Sequence, residues 1–127
     1  MTGVLVDTSV WIDHFRNGND ELVSLLMHDQ ALIHPMVMGE IACGTPTAPR
    51  KKTLRDLRLL PTAQQASLGE TMAFIERESL DGLGCGLIDL MLLASTLMTP
   101  GAKLWTLDKR LAELTERFGI AYRVALH

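Results

Sequence analysis

The sequence predicts an α/β fold, a parallel sheet of four to five strands flanked by helices on both faces. Three observations predict it. Short apolar runs rich in β-branched residues alternate with longer stretches of helical periodicity, the pattern of strand–helix–strand units. The first run, Val4-Leu5-Val6, is apolar throughout and ends abruptly on Asp7, as a buried strand does. The chain's 127 residues, 47% of them apolar and 21% charged, fit one globular domain over residues 1–127 with a single core.

Taken in order, strand Val4–Val6 leads to a helix of roughly Ser9–Arg16 capped by Thr8 or Ser9. Asn17-Gly18-Asn19 is a turn, and Asn19 or Asp20 caps a second helix, about Asp20–His28, with Leu22, Leu25 and Leu26 facing inward. Ala31–His34 is a second strand that ends at Pro35, and Val37–Cys43 a helix stopped by Gly44. After the stiff connector Thr45–Pro49 comes a basic helix, Arg50–Leu59, ended by Pro61; Leu59–Pro61 holds a minimal third strand. Gln64–Leu80 is an amphipathic helix with Leu68, Met72 and Ile75 at helical spacing. A glycine-rich loop, Asp81–Gly86, precedes the helix Leu87–Met98, which is apolar almost all round. Strand Lys103–Thr106, helix Lys109–Phe118 and a last strand Ile120–Val124 complete the chain.

Composition narrows the function classes. Two cysteines, Cys43 and Cys85, are too few for a disulfide-stapled scaffold and lie in no zinc-binding spacing. The most apolar run, Leu83–Met98, carries Asp89 and falls short of a membrane span. No leader-like N-terminus is visible, so the cytoplasm is the expected compartment. The net charge of −3 leaves a nucleic-acid partner open.

Four acids stand out. Asp7 and Asp108 lie just past the ends of two predicted strands, which in a parallel sheet open onto one rim, where α/β folds place their chemistry. Asp89 sits in Leu87-Ile88-Asp89-Leu90-Met91, on a helix apolar on every side, and Glu40 is flanked by Met38, Ile41 and Ala42. A carboxylate buried in such surroundings is costly unless something meets it. Structural roles are open to three of them: Asp7 and Asp108 as helix caps, Glu40 in a surface ion pair. Asp89 is the hardest to explain that way. Acids gathered without matching bases suggest a site neutralised by cations. Hard oxygen ligands select Mg²⁺ or Mn²⁺ over zinc or copper, and such a cluster suits phosphodiester hydrolysis.

Val6-Asp7-Thr8-Ser9-Val10-Trp11-Ile12-Asp13, Gly39-Glu40, Gly86-Leu87-Ile88-Asp89 and Thr106-Leu107-Asp108 together resemble the PIN domain, and more narrowly the VapC-type toxins of bacterial toxin–antitoxin pairs. The resemblance covers essentially the whole chain. It implies an Mg²⁺- or Mn²⁺-dependent endoribonuclease acting on RNA, a homodimer, and a cognate protein antitoxin. Asp7, Glu40, Asp89 and Asp108 match the family's acidic positions; Asp7 and Asp89 are the first choices as direct ligands. Thr8, Ser9 and Thr106 match positions where the family places supporting hydroxyls. A phosphoacceptor receiver-like signalling or binding module is the alternative. It needs paired acids after the first strand, where this chain has Asp7 alone.

Other residues read more plainly. Lys51, Arg55 and Arg58 share a helical face that can hold an RNA backbone or simply be solvated. Lys109 and Arg110, next to Asp108, are better placed to touch a phosphate. Trp11 and Trp105 suit packing better than base stacking. His14, His28, His34 and His127 show no metal spacing and read as structural or surface residues.

Overall fold

A computed structural model describes residues 3–124 of the chain. Its elements in order are β1 (Val4–Val6), α1 (Thr8–Asn17), α2 (Asp20–Met27), β2 (Ala31–Leu32), α3 (Pro35–Cys43), α4 (Arg50–Leu57), α5 (Leu68–Glu78), α6 (Leu87–Met98), β3 (Lys103–Trp105) and α7 (Lys109–Arg117). The strands form a parallel sheet in the order β2-β1-β3. All three residues of central strand β1 are buried. Successive strand side chains point to opposite faces, so both faces of the sheet are covered.

The expected four to five strands are three among the described residues. At one edge, Ile33 forms a single parallel bridge with Thr62, donating to the Pro61 carbonyl and accepting from Ala63 N–H. The next rungs would need N–H groups from Pro35 on one side and Pro61 on the other. Neither proline has one, so the ladder stops at a single bridge. At the other edge Leu104 bridges Ala121 in the same way. There the Ile120 N–H is already taken by the Thr115 carbonyl at the end of α7. The segments expected as third and last strands, Leu59–Pro61 and Ile120–Val124, thus survive as one-residue bridges, the first shifted to Thr62.

Two helices also differ from expectation. Helix α1 starts at Thr8, with Asp7 in the cap position rather than Thr8 or Ser9. Helix α5 starts at Leu68, four residues after Gln64, because Ser67 and Glu70 form a capping box that opens it there. Its inward face is Thr71 and Phe74, whereas Leu68 and Met72 are 53% and 56% exposed. α6, by contrast, runs over Leu87–Met98 as expected and buries every residue from Leu90 to Thr96, packed against α5, α7 and β3.

Candidate active site

Parallel pairing brings the site together. β1 and β3 are in register from Val4 with Lys103 to Val6 with Trp105, and Asp7 N–H donates to the Trp105 carbonyl at 2.9 Å. One step further along that register, Asp7 lies beside Thr106. Asp7 is only 5% exposed. Its backbone carbonyl accepts from Val10 and Trp11 N–H, but its side chain caps nothing. Instead Oδ2 accepts from Ser9 Oγ and from Thr106 Oγ1, each at 2.7 Å. Those hydroxyl oxygens are themselves fixed: Ser9 Oγ accepts from Leu107 N–H and Thr106 Oγ1 from Asp108 N–H, both at 3.0 Å. Two backbone donors therefore orient two hydroxyls, whose protons point at one carboxylate oxygen. This network fixes the orientation of the Asp7 side chain.

The other acids arrive on three helices. Glu40 lies exposed on α3 and accepts from Thr8 Oγ1 at 2.6 Å, which joins α3 to the start of α1. Asp89 is half-buried in the first turn of α6 and accepts a long bond, 3.4 Å, from Gly86 N–H. Asp108 is exposed at the start of α7 and caps it, Oδ1 accepting from Leu111 N–H at 2.9 Å. The four share one electrostatic field. Burial pushes the Asp89 carboxyl above its ordinary value, and the charges of Asp7, Asp108 and Glu40 push it further, against a lowering by the Gly86 N–H.

The donor set is carboxylate and hydroxyl oxygen, the chemistry of a hard divalent cation. Among the described residues no three His, Cys, Asp or Glu side chains are gathered closely enough to hold a metal ion as they stand.

The residues around this cluster are sorted by the fold. Trp11 and Trp105 lie in the core, Trp105 packed on the Tyr122 ring, so neither presents a face for base stacking. Arg50 donates to the Ala42 and Gly44 carbonyls at the end of α3, and Lys52 pairs with Asp56, which takes both out of a free basic face. Arg110 lies across Gly84, whose φ of +86° is a left-handed conformation that favours glycine in the loop before α6. Cys43 and Cys85 are free thiols; burial and the nearby Asp89 and Asp108 charges push Cys85 up and keep it protonated. His34 is the residue whose place the sequence concealed: 2% exposed, it accepts from Met36 N–H and meets Ser95 Oγ. Pro35, at the first position of α3, was the available signal that His34 is a cap.

The model of the PIN domain family matches residues 4–117. The chain belongs to the PIN domain family. It is 40% identical over 118 residues to Ribonuclease VapC32 of Mycobacterium tuberculosis, in both strain CDC 1551 / Oshkosh and strain ATCC 25618 / H37Rv, covering 93% of this chain and 94% of each relative. The VapC-type likeness carried by the acid motifs is thereby shown. The receiver-like alternative gives way to the family match, and β1 is followed by Asp7 alone where that alternative needs paired acids.

Proposed function

We propose that residues 1–127 form one PIN-like domain that acts as an Mg²⁺- or Mn²⁺-dependent endoribonuclease, the toxin of a type II toxin–antitoxin pair. The observation that carries this reading is the buried Asp7 carboxylate, held by Ser9 and Thr106 at the rim where β1 and β3 end; Asp89, raised by burial and then by the charges of Asp7, Asp108 and Glu40, lies in the same field. The likeness to Ribonuclease VapC32 supports the substrate class.

In this reading Asp7 and Asp89 hold the cation directly, with Glu40 and Asp108 completing the cluster directly or through water. When bound, the cation makes a water easier to deprotonate and offsets charge on the phosphoryl oxygens. Ser9 and Thr106 aim the Asp7 carboxylate, and Thr8 does the same for Glu40. Asp108 gives Oδ1 to its helix cap, so Oδ2 is the oxygen it offers the site. The partners are RNA, a cognate protein antitoxin and a second copy of the chain, in the cytoplasm. Exposed Leu68 and Met72 on α5 and exposed Leu97 and Met98 on α6 supply apolar surface for a second copy to cover. No described helix is long and apolar enough to cross a membrane.

Incubation with total cellular RNA, with Mg²⁺ and then with EDTA, tests the reading. Cleavage that needs the ion and disappears in Asp7→Asn supports it; cleavage that persists in EDTA, or an Asp7→Asn chain that fails to fold, overturns it.

A further inference from the structure

His34 is buried, titratable and unused by the reaction described above. It stands at the N-cap of α3, where its Nδ1 accepts from Met36 N–H at 3.0 Å. That bond requires an unprotonated Nδ1, so the ring proton is on Nε2 and is donated to Ser95 Oγ at 3.1 Å. Ser95 is fully buried in α6 and also accepts from Ala66 N–H at 3.0 Å, in the segment leading to α5. One buried point therefore joins three stretches of chain.

Two of them carry site acids. Glu40 follows His34 by six residues on α3 (34 to 40), and Asp89 precedes Ser95 by six on α6 (89 to 95). At 1.5 Å per residue each acid lies about 9 Å along its helix from the His34–Ser95 bond. The main packing of α3 is against α1 and α4, while α6 packs on α5, α7 and β3. Among the described residues, His34–Ser95 is the one side-chain hydrogen bond between α3, with its cap, and α6.

We infer that His34 and Ser95 are positioning residues, whose hydrogen bond sets the separation of Glu40 from Asp89 and with it the affinity of the acid cluster for a divalent cation. The inference rests on the reading of those acids as metal-facing. Thr8 and the packing on α1 and α4 place α3 on one side; the buried bond ties its start to α6. Groups that orient ligands without touching the ion change metal affinity by about 10–100-fold.

The test separates the two bonds of His34. His34→Asn keeps a good cap for α3 but is too short to reach Ser95; Ser95→Ala keeps His34 and removes the other end. Mn²⁺ is titrated against melting temperature for wild type, both variants and the double variant, and RNA cleavage is measured at saturating and subsaturating Mn²⁺. The expected result is an Mn²⁺ half-saturation about 10-fold higher in each variant. The double variant is no worse than either alone, since the two side chains share one bond, and saturating Mn²⁺ restores much of the cleavage. Variants that melt lower but keep the wild-type half-saturation make His34 a mere cap and overturn the inference alone. A wild type without any Mn²⁺ response overturns the ribonuclease reading and this inference together. If His34→Asn does not fold, Ser95→Ala carries the same comparison.

Discussion

Two aspartates occupy equivalent places in the chain and behave in opposite ways. Asp7 directly follows β1 and Asp108 follows the end of β3 by three residues, and each stands at the cap position of the next helix. Asp108 is exposed and caps α7 with its side chain; Asp7 is buried and leaves α1 uncapped in order to accept from Ser9 and Thr106. The difference comes from the sheet. β1 is the central strand, so its end is roofed by the loop after β3, and the carboxylate there takes one donor from that loop and one from α1. β3 is an edge strand, and Asp108 beyond it stays exposed and caps its own helix. The site joins a fixed, buried acid to an exposed one that already has a structural duty.

Breaking the buried side of the pair has the largest expected effect. Asp7→Asn removes a charge that helps hold the cation; several kcal/mol of charge stabilisation at about 1.4 kcal/mol per decade is about a 10³-fold loss of cleavage. The metal-free protein keeps its melting temperature or gains slightly, because repulsion with Asp89 is relieved. Rate and thermal melt together check this.

Ser9→Ala and Thr106→Ala come next. Each removes one donor to Asp7 and one acceptor for a loop N–H. We expect about a 10-fold rise in the Mg²⁺ needed for half-maximal rate, and a stability loss of about 1 kcal/mol from the unmade hydrogen bond. A variant that loses stability without a change in Mg²⁺ demand would make these hydroxyls purely structural.

The exposed side is sharpened by two substitutions at one position. Asp108→Ala loses the cap of α7 and about 1 kcal/mol of stability, whereas Asp108→Asn keeps the cap. If Asp108 also serves the site, both variants lose cleavage and only the first melts lower. Equal cleavage by Asp108→Asn and wild type reduces Asp108 to its cap.

The smallest effect is on pH. The Asp89 carboxyl is raised in the fold, chiefly by burial and then by Asp7. The folded state therefore binds this proton more tightly than the unfolded chain does. In the metal-free protein that contribution favours folding at pH below the ordinary aspartate range and is lost as pH rises through the raised value. Asp89→Asn removes this pH dependence of stability, measurable by melting across pH 3–7 as an approximate window.

Much of this was legible in the chain. Apolar runs ending on aspartates located the strand ends, and an acid inside the apolar α6 marked Asp89 as needing neighbours, since a lone buried charge is too costly to be incidental. Elsewhere the pattern was ambiguous. Leu68, Met72 and Ile75 have helical spacing, yet α5 buries Thr71 and Phe74, because period alone names candidate faces and α6 selects among them. The strand count needed pairing partners: Pro35 and Pro61 were visible, but that they close off the two ends of one bridge was not.

By itself the sequence determined where strands and helices alternate, which acids are available, and that hard oxygen ligands dominate them. These are local properties of composition and period. Only the tertiary structure decided that Ser9 and Thr106, far apart in the chain, donate to the same oxygen of Asp7, and that His34 meets Ser95. Directional hydrogen bonds between distant residues depend on ångström-scale placement, and that placement comes from how β3 pairs with β1 and how the helices pack around them.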